Sequence, residues 1–345
     1  MYSDTDIESA VAAGILTSES AAALRNHTAS LRTSPSVDEE HFRLITGFND
    51  IFVSIAIVLL VVAVAWIGQA IRLPLAGASV AVVSWGLAEY FTRVRRMALP
   101  SILLLLAFAG GVAGTFIGFM VDLDPNFSDQ TNALIAAGIA AVTAVAIYAH
   151  WRRFMVPITV AVGAIAVAAT AAGLIVTGLT DPEGALPWIS LVAGLAIFAL
   201  AMRWDMSDRA RVTRRSDVAF WLHLAAAPLI AHPIFQELGV LNGAIPAATA
   251  AMVLALYVGF GLVALAIDRR ALLVSSLAYV LFALTRLFEN AGAVELATAF
   301  TALIIGSALL TLSAFWHPMR SLVVERLPAM WRDRLPLTGA FPARV

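Results

Sequence analysis

Long apolar runs alternate with short polar stretches along the chain. Each run has close to 20 residues, which is enough for an α-helix to cross about 30 Å of hydrocarbon at 1.5 Å per residue. Apolar positions within a run are continuous rather than alternating, so the pattern favours helices. We therefore predict an all-α, polytopic transmembrane helix bundle of about ten spans, at approximately 48–71, 75–91, 99–121, 131–149, 154–179, 186–202, 217–238, 244–267, 271–291 and 294–315.

Composition agrees with a membrane protein. Hydrophobic residues make up 61% of the 345 residues and charged residues 13%, whereas soluble domains have about 45–50% and about 25%. This excludes a soluble enzyme or a nucleic-acid-binding protein. Cysteine is absent, which removes disulfides, thiolate nucleophiles and cysteine metal sites. We expect neither a metal site nor a cofactor.

The arginines predict the orientation. Alternate loops carry twelve arginines, whereas the opposite loops carry only Arg72 together with several acidic residues. Because short cytoplasmic loops hold the excess of positive charge, both termini should be cytoplasmic. Lysine is absent, which is typical of a GC-rich bacterial genome, so we expect a multi-pass protein of the bacterial inner membrane. The twelve are Arg93, Arg95, Arg96, Arg152, Arg153, Arg203, Arg209, Arg211, Arg214, Arg215, Arg269 and Arg270.

The N-terminal residues 1–37 predict a small cytosolic helical hairpin with a linker. Thr5 and Glu8 form a capping-box pattern, Gly14 ends the first helix, and Thr17 caps the second. Acidic residues outnumber basic ones here, which argues against nucleic acid as a partner. Residues 1–33 could instead dock a cytosolic protein. Residues 38–47 form an interfacial lead-in to the bundle, which occupies 48–315.

The C-terminal stretch 316–345 predicts a basic amphipathic cytosolic tail. It mixes Met319, Leu322 and Trp331 with Arg326 and Arg332. Such a segment should lie on the inner leaflet of the bilayer.

Two stretches near the N-terminus are similar to those of known sequences. Residues 12–21, AAGILTSESA, resemble the N-terminal helical hairpin of a family of bacterial predicted multi-spanning membrane proteins of unknown function. Residues 39–52, EEHFRLITGFNDIF, resemble the junction by which related proteins enter their first span. The resemblance covers about the first 60 residues and implies architecture, but no catalytic residue.

The seventh span is the most unusual. It carries His223 and His232, ends at Glu237, and contains Pro228 and Pro233. Two prolines five residues apart should kink or break the helix, and transporters place binding sites at such breaks. The alternative is a kinked helix with buried, hydrogen-bonded histidines. Nine residues separate the two histidines, which puts them on opposite faces.

The ninth span carries Arg286 and Glu289 on one face, and Glu295 opens the next span. One interpretation is an internal ion pair that neutralises two charges. The other is an anion- or proton-linked site that faces His232 and Glu237.

Two features of the early spans are also candidates. Glu89 lies near the inner end of the second span, where it can reach the interface or act as a proton-coupling carboxylate. In the third span Gly110, Gly114 and Gly118 form a ladder of small residues, which favours close packing of a neighbouring helix over the lining of a pore.

Three functions stay open from the sequence. The first is a permease-like protein for a small solute, supported by the spans, the prolines and the few buried charges. The second is a non-transporting scaffold or sensor that docks a cytosolic partner through residues 1–33. The third is an enzyme acting on lipid, with His232 and Glu289 within about 3 Å, or one water, of a shared substrate atom.

Overall fold

The computed structural model describes residues 10–31, 48–123, 126–211, 213–240, 246–292 and 295–337. These residues form helices and turns without a strand, which confirms the all-α prediction. The chain divides into two compact units, residues 1–42 and 43–345. The predicted capping box at Thr5 and Glu8, the linker 34–37 and the lead-in 38–47 lie outside the described residues.

The first unit contains helix α1 (Ser18–Leu31). A short helical turn precedes it and ends at Gly14, whose φ of 69° is the left-handed conformation that glycine adopts without strain. The Thr17 hydroxyl caps α1, since it accepts a hydrogen bond from the Ser20 amide at 3.1 Å. Ala21 is buried, whereas 78% of Ile15 is exposed. The hairpin therefore presents an apolar side chain at its turn.

In the second unit, ten helices cover the predicted apolar runs. All but α3 have 18 or more residues and are apolar enough to cross a membrane, so the chain is a multi-pass integral membrane protein. The helices are α2 (Phe48–Ile71), α3 (Leu73–Ala88), α4 (Ala98–Leu123), α5 (Asp129–Phe154), α6 (Ile158–Val176), α7 (Pro182–Ser207), α8 (Arg214–Glu237), α9 (Ala247–Ile267), α10 (Ala271–Asn290) and α11 (Ala297–Ala314).

The second predicted span is built from two kinds of helix. Helix α3 has 16 residues, which reach about 24 Å at 1.5 Å each and fall short of a bilayer core of about 30 Å. A six-residue π-helix, Glu89–Val94, continues it. Pro74 lies in the first turn of α3, where its missing amide hydrogen costs nothing.

Helices α3 and α4 pack closely through glycine. A Cβ on Gly77 would lie 2.2 Å from the Thr115 nitrogen, and one on Gly111 would lie 2.6 Å from the Ala81 nitrogen. A Cβ on Gly118 would lie 2.9 Å from Pro74. Only a hydrogen side chain allows two backbones to approach this closely.

Four turns share one backbone feature. Among the described residues, the non-glycine residues with positive φ are Arg96, Met155, Arg211 and Asp268, with φ between 53° and 56°. One follows each of α3, α5, α7 and α9, in the connections that carry the predicted cytoplasmic arginines. A left-handed residue ends a helix and reverses the chain within a few residues, so each connection is tight.

The C-terminal segment packs against the bundle rather than forming a free tail. It contains α12 (Trp316–Glu325) and α13 (Ala329–Arg332). Trp316, Arg320 and Leu335 are each 5% exposed or less. Met319 and Trp331 are exposed, so the segment has one face against the bundle and apolar side chains on another face.

Candidate functional site in a buried ionic network

A network of buried charged side chains lies where α7, α8 and the turn between α9 and α10 meet. Asp205, near the end of α7, is 1% exposed. Its Oδ2 lies 2.9 Å from Nε2 of His223 in α8, and its Oδ1 accepts a hydrogen bond from Arg269 Nη2 at 2.8 Å. Arg269 also donates to the Ser216 carbonyl at 3.1 Å. An ionised Asp205 only accepts hydrogen bonds, so Nε2 is the protonated nitrogen of His223.

Asp268 forms the second centre of the network. Arg211 Nη1 donates to its Oδ2 at 2.7 Å, and Trp316 Nε1 donates to its Oδ1 at 2.7 Å. Arg320 Nε lies 3.6 Å from the same Oδ1. Arg211 also donates to the main-chain carbonyl of Asp268 at 3.1 Å. One carboxylate thus joins the α7–α8 turn, the α9–α10 turn and α12.

Two arginines fasten the end of the described chain to this network. Arg320 donates to the carbonyls of Pro336 at 2.8 Å and Leu337 at 3.1 Å. Arg209 donates to the Leu335 carbonyl at 2.8 Å. These carbonyls belong to irregular backbone, which finds no helical partners. Residues 335–337 are therefore held by one side chain from the α7–α8 turn, Arg209, and by one from α12, Arg320.

The formal charges of the buried aspartates and arginines in and beside the network balance. Besides Asp205 and Asp268, Asp208 is buried at 7% exposure and accepts a hydrogen bond from the Thr213 hydroxyl at 2.6 Å. Burial is the main cause that lowers the pKa of Arg211 from its usual value, and Asp268 is among the charges that oppose it. The usual pKa of arginine lies so far above neutral pH that Arg211 stays protonated in spite of this lowering. The three buried aspartates accompany three buried arginines, Arg211, Arg269 and Arg320.

This arrangement stabilises the fold only while it is complete. Two charges taken out of water need good geometry and further hydrogen bonds to offset their desolvation, and removal of one partner costs about 3–5 kcal/mol. Arg211 and Arg269 both have such additional bonds, to main-chain carbonyls. We refer to this end of the bundle as the network end.

Of the predicted site residues, only His223 belongs to the network. His232 lies on the opposite face of α8, as its spacing predicts, and its Nδ1 forms a hydrogen bond with the Tyr279 hydroxyl of α10. Tyr279 stacks on Phe235 with ring centroids 4.5 Å apart. His232 thus joins two helices and is separate from His223.

Helix α8 is continuous through both prolines, from Arg214 to Glu237. The expectation of a broken helix is therefore wrong. Pro228 and Pro233 remove two backbone donors, but the helix retains its form, and Pro233 is buried. No unwound backbone is present in α8 to form the kind of binding site that a transporter builds.

Arg286 and Glu289 form an ion pair within one helix. Arg286 Nη1 donates to Glu289 Oε2 at 2.8 Å, and the guanidinium lies 5.0 Å from the Phe282 ring. None of the hydrogen bonds among the described residues joins this pair to His232 or Glu237. Glu295 is exposed.

Glu89 is held by arginines at the start of the π-helix. Arg153 donates to both of its oxygens, at 2.7 and 2.9 Å, and Arg93 donates to Oε2 at 3.4 Å. The bidentate geometry joins the π-helix to the end of α5. Both side chains of the pair are about one-third exposed or more.

The glycine ladder of α4 contacts α3 through only part of its predicted set. Gly118 makes a close contact, and Gly114 lies 3.8 Å from the Gly77 Cα, measured from its added Cβ. Nothing lies within 4 Å of a Cβ placed on Gly110. The close approach passes through Gly111 instead, which lies seven residues before Gly118 and therefore on the same face of α4.

The larger cavities beside α7 are apolar and contain no network residue. One of about 700 Å³ lies between α6 and α7 and is lined by small residues such as Gly163, Ala168 and Ala193. Another of about 250 Å³ is bordered by Trp188, Pro233 and Glu237. Glu237 is the only ionisable residue that lines either of them.

Sequence reasoning missed Asp205, Asp268 and the arginines they bind. Each carboxylate follows a long apolar run and stands among arginines that the pattern assigned to exposed loops. Acidic residues inside arginine-rich turns were the available signal, because burying such arginines requires a counter-charge.

Comparison of this chain with models of protein families, with curated proteins and with solved structures found no match.

Proposed function

We propose that this chain is a non-transporting membrane protein of the docking or sensor class. It would lie in a bacterial inner membrane with both termini in the cytoplasm, as the arginine distribution favours. The observation that carries the proposal is that the buried charged side chains bind one another and the C-terminal segment. Asp205, Asp268 and their arginines bind one another and hold the C-terminal segment, which leaves none of them facing a cavity described above.

Three further observations favour docking over transport. Helix α8 is continuous, so the span that the permease hypothesis required as a binding element has no unwound segment. The cavity of about 700 Å³ is apolar along its length, whereas a path for a polar solute needs hydrogen-bonding groups. Arg286 and Glu289 neutralise each other within α10.

The N-terminal hairpin is the proposed docking element. Ile15 is 78% exposed and Leu24 42% exposed, and both are large apolar side chains on a compact unit of its own. Exposed apolar side chains on a small helical unit suit a protein partner that covers them. The partner would be a cytosolic protein with a complementary apolar surface.

Photo-crosslinking in cells tests this proposal. A photoreactive residue is placed at Ile15 or at Leu24 of the full chain, and at Phe127, an exposed loop position between α4 and α5, as a control. We expect one identified cytosolic protein to be captured from both hairpin positions and not from Phe127. Ile15→Asp should weaken capture from Leu24 while the bundle keeps its melting temperature.

Two results would contradict the proposal. One is the absence of a common adduct at Ile15 and Leu24. The other is a current or uptake driven by a small solute in proteoliposomes of the purified protein, which would restore the permease hypothesis.

A further inference from the structure

We propose that the network end binds a phospholipid with an anionic headgroup, and that Arg270 contacts its phosphate. This inference concerns a lipid ligand and does not rest on the docking function.

Arg270 differs from the two residues before it, because it forms no ion pair with a described carboxylate. In the sequence Asp268-Arg269-Arg270, the first two side chains belong to the ionic network. Arg270 forms no ion pair with a carboxylate of the described residues; its guanidinium instead lies 4.7 Å from the ring of Trp316. A guanidinium stacked on an indole keeps a fixed plane and leaves its N–H donors available in that plane.

A cavity of about 110 Å³ adjoins this guanidinium. Tyr257, Arg270, Ser313 and Trp316 are the lining residues that carry polar side-chain atoms. The Tyr257 hydroxyl is buried and makes no hydrogen bond with the described residues. A buried hydroxyl without a partner is energetically unfavourable, so this hydroxyl is available to a ligand. A phosphodiester has several acceptor oxygens and would satisfy both the guanidinium and this hydroxyl. The cavity has room for several water-sized groups.

The apolar part of the cavity argues for a lipid rather than a soluble anion. Leu273 and Leu277 of α10 and Leu309 of α11 continue the lining away from Arg270. Beside them Val274 is 64% exposed. In a membrane helix such an exposed side chain faces acyl chains, so the cavity opens to the bilayer. The polar groups would thus contact the headgroup of a lipid, and the three leucines would contact its acyl chain. Anionic headgroups are attracted by basic groups at the membrane surface.

Lipid binding by the full-length protein in detergent tests the assignment. Native mass spectrometry measures the retention of phosphatidylglycerol and of phosphatidylcholine with identical chains, and thermal unfolding measures the stabilisation by each. The variants are Arg270→Gln, which removes the charge, and Val274→Trp, which fills the apolar part of the cavity and keeps the charge of Arg270. Arg214→Gln removes an exposed arginine from the first residue of α8 and is the matched control.

We expect wild type to retain phosphatidylglycerol in preference to phosphatidylcholine. A charge-assisted hydrogen bond is worth about 1.5–3 kcal/mol, so Arg270→Gln should weaken phosphatidylglycerol binding at least about tenfold. Val274→Trp should also reduce retention, and Arg214→Gln should not.

Three results would overturn the proposal. The first is equal retention of both lipids by wild type. The second is unchanged binding in Val274→Trp together with either unchanged binding or loss of folding in Arg270→Gln. The third is stabilisation by sodium phosphate as large as that by phosphatidylglycerol, which would make the site one for a soluble anion.

Discussion

Asp268 accepts a hydrogen bond of 2.7 Å from the indole of Trp316, although 48 residues separate them in sequence. Asp268 is the left-handed residue that ends α9, and Trp316 is the first residue of α12. The bond therefore joins a tight turn between two spans to the start of the C-terminal segment. Because Arg211 binds the same carboxylate, the position of that segment depends on the folding of α7 to α10.

Replacement of Asp268 by asparagine should be strongly destabilising. Asp268→Asn keeps the volume but removes the charge that compensates Arg211 and, at 3.6 Å, Arg320. Loss of one partner of a buried pair leaves an uncompensated charge, so we expect the free energy of unfolding to fall by about 3–5 kcal/mol. Thermal unfolding of the purified protein in detergent measures the change.

The matched control for that variant is Asp122→Asn. Asp122 pairs with Arg72 at 3.0 Å, but the Arg72 side chain is 66% exposed. An exposed pair contributes about 0–1 kcal/mol. Equal shifts in melting temperature for the two variants would mean that the buried network adds nothing beyond an ordinary surface pair.

Asp205 should matter more to stability than its partner His223 does. Asp205→Asn leaves Arg269 buried without its carboxylate, and we expect a loss of about 3–5 kcal/mol. His223→Phe leaves the Asp205–Arg269 pair intact and places an aromatic ring beside Phe198, whose ring lies 5.1 Å from the imidazole. Its cost should be about 1–3 kcal/mol, that of one buried hydrogen bond. Thermal unfolding of both variants decides the order, and a larger loss for His223→Phe would contradict it.

The glycines of α4 offer a matched pair of neighbours. Gly111→Ala would place a Cβ 2.6 Å from the backbone of α3, whereas Gly110→Ala meets nothing within 4 Å. Overpacking of this kind costs about 1–3 kcal/mol. We expect Gly111→Ala to lower the melting temperature and Gly110→Ala to leave it unchanged or raise it, since alanine favours a helix. The reverse order would place the contact face of α4 elsewhere.

The same two glycines show how much of the helix packing could be predicted from the sequence. Hydropathy located the helices to within a few residues because each must be apolar over most of its length. The spacing of Gly110, Gly114 and Gly118 identified a helix with a close neighbour. It could not identify Gly111, because adjacent glycines lie about 100° apart on the helix and both are compatible with packing.

Glu89 should tolerate loss of its charge better than Asp268 does. Its ion pair with Arg153 is bidentate, but the side chains are 33% and 42% exposed, so water replaces much of what the pair supplies. Glu89→Gln should therefore change the melting temperature less than Asp268→Asn does under the same conditions. An equal or larger change would assign the π-helix junction a structural importance comparable to that of the network.

The ionic network could not be predicted from the sequence, and the reason is physical. Asp205 and Asp268 are turn-proximal carboxylates beside arginines, a pattern that is typical of solvated loops. Burial depends on what covers the turn, and the cover is supplied by Trp316 and Arg320 from the far end of the chain. His223 was identified because a histidine inside an apolar run is conspicuous, whereas its partner was not. The prolines of α8 led to the wrong prediction of a broken helix, because neighbouring helices can accommodate prolines without a break.

The most direct test of the account is hydrogen–deuterium exchange of residues 316–337 in the full-length protein. If the buried carboxylate holds this segment to the bundle, its amides should be protected in wild type and in Asp122→Asn. They should exchange much faster in Asp268→Asn, while those of α4 keep their protection. Exchange of 316–337 that is the same in Asp268→Asn and in wild type would contradict the claim that the buried charges of the network fix the C-terminal segment.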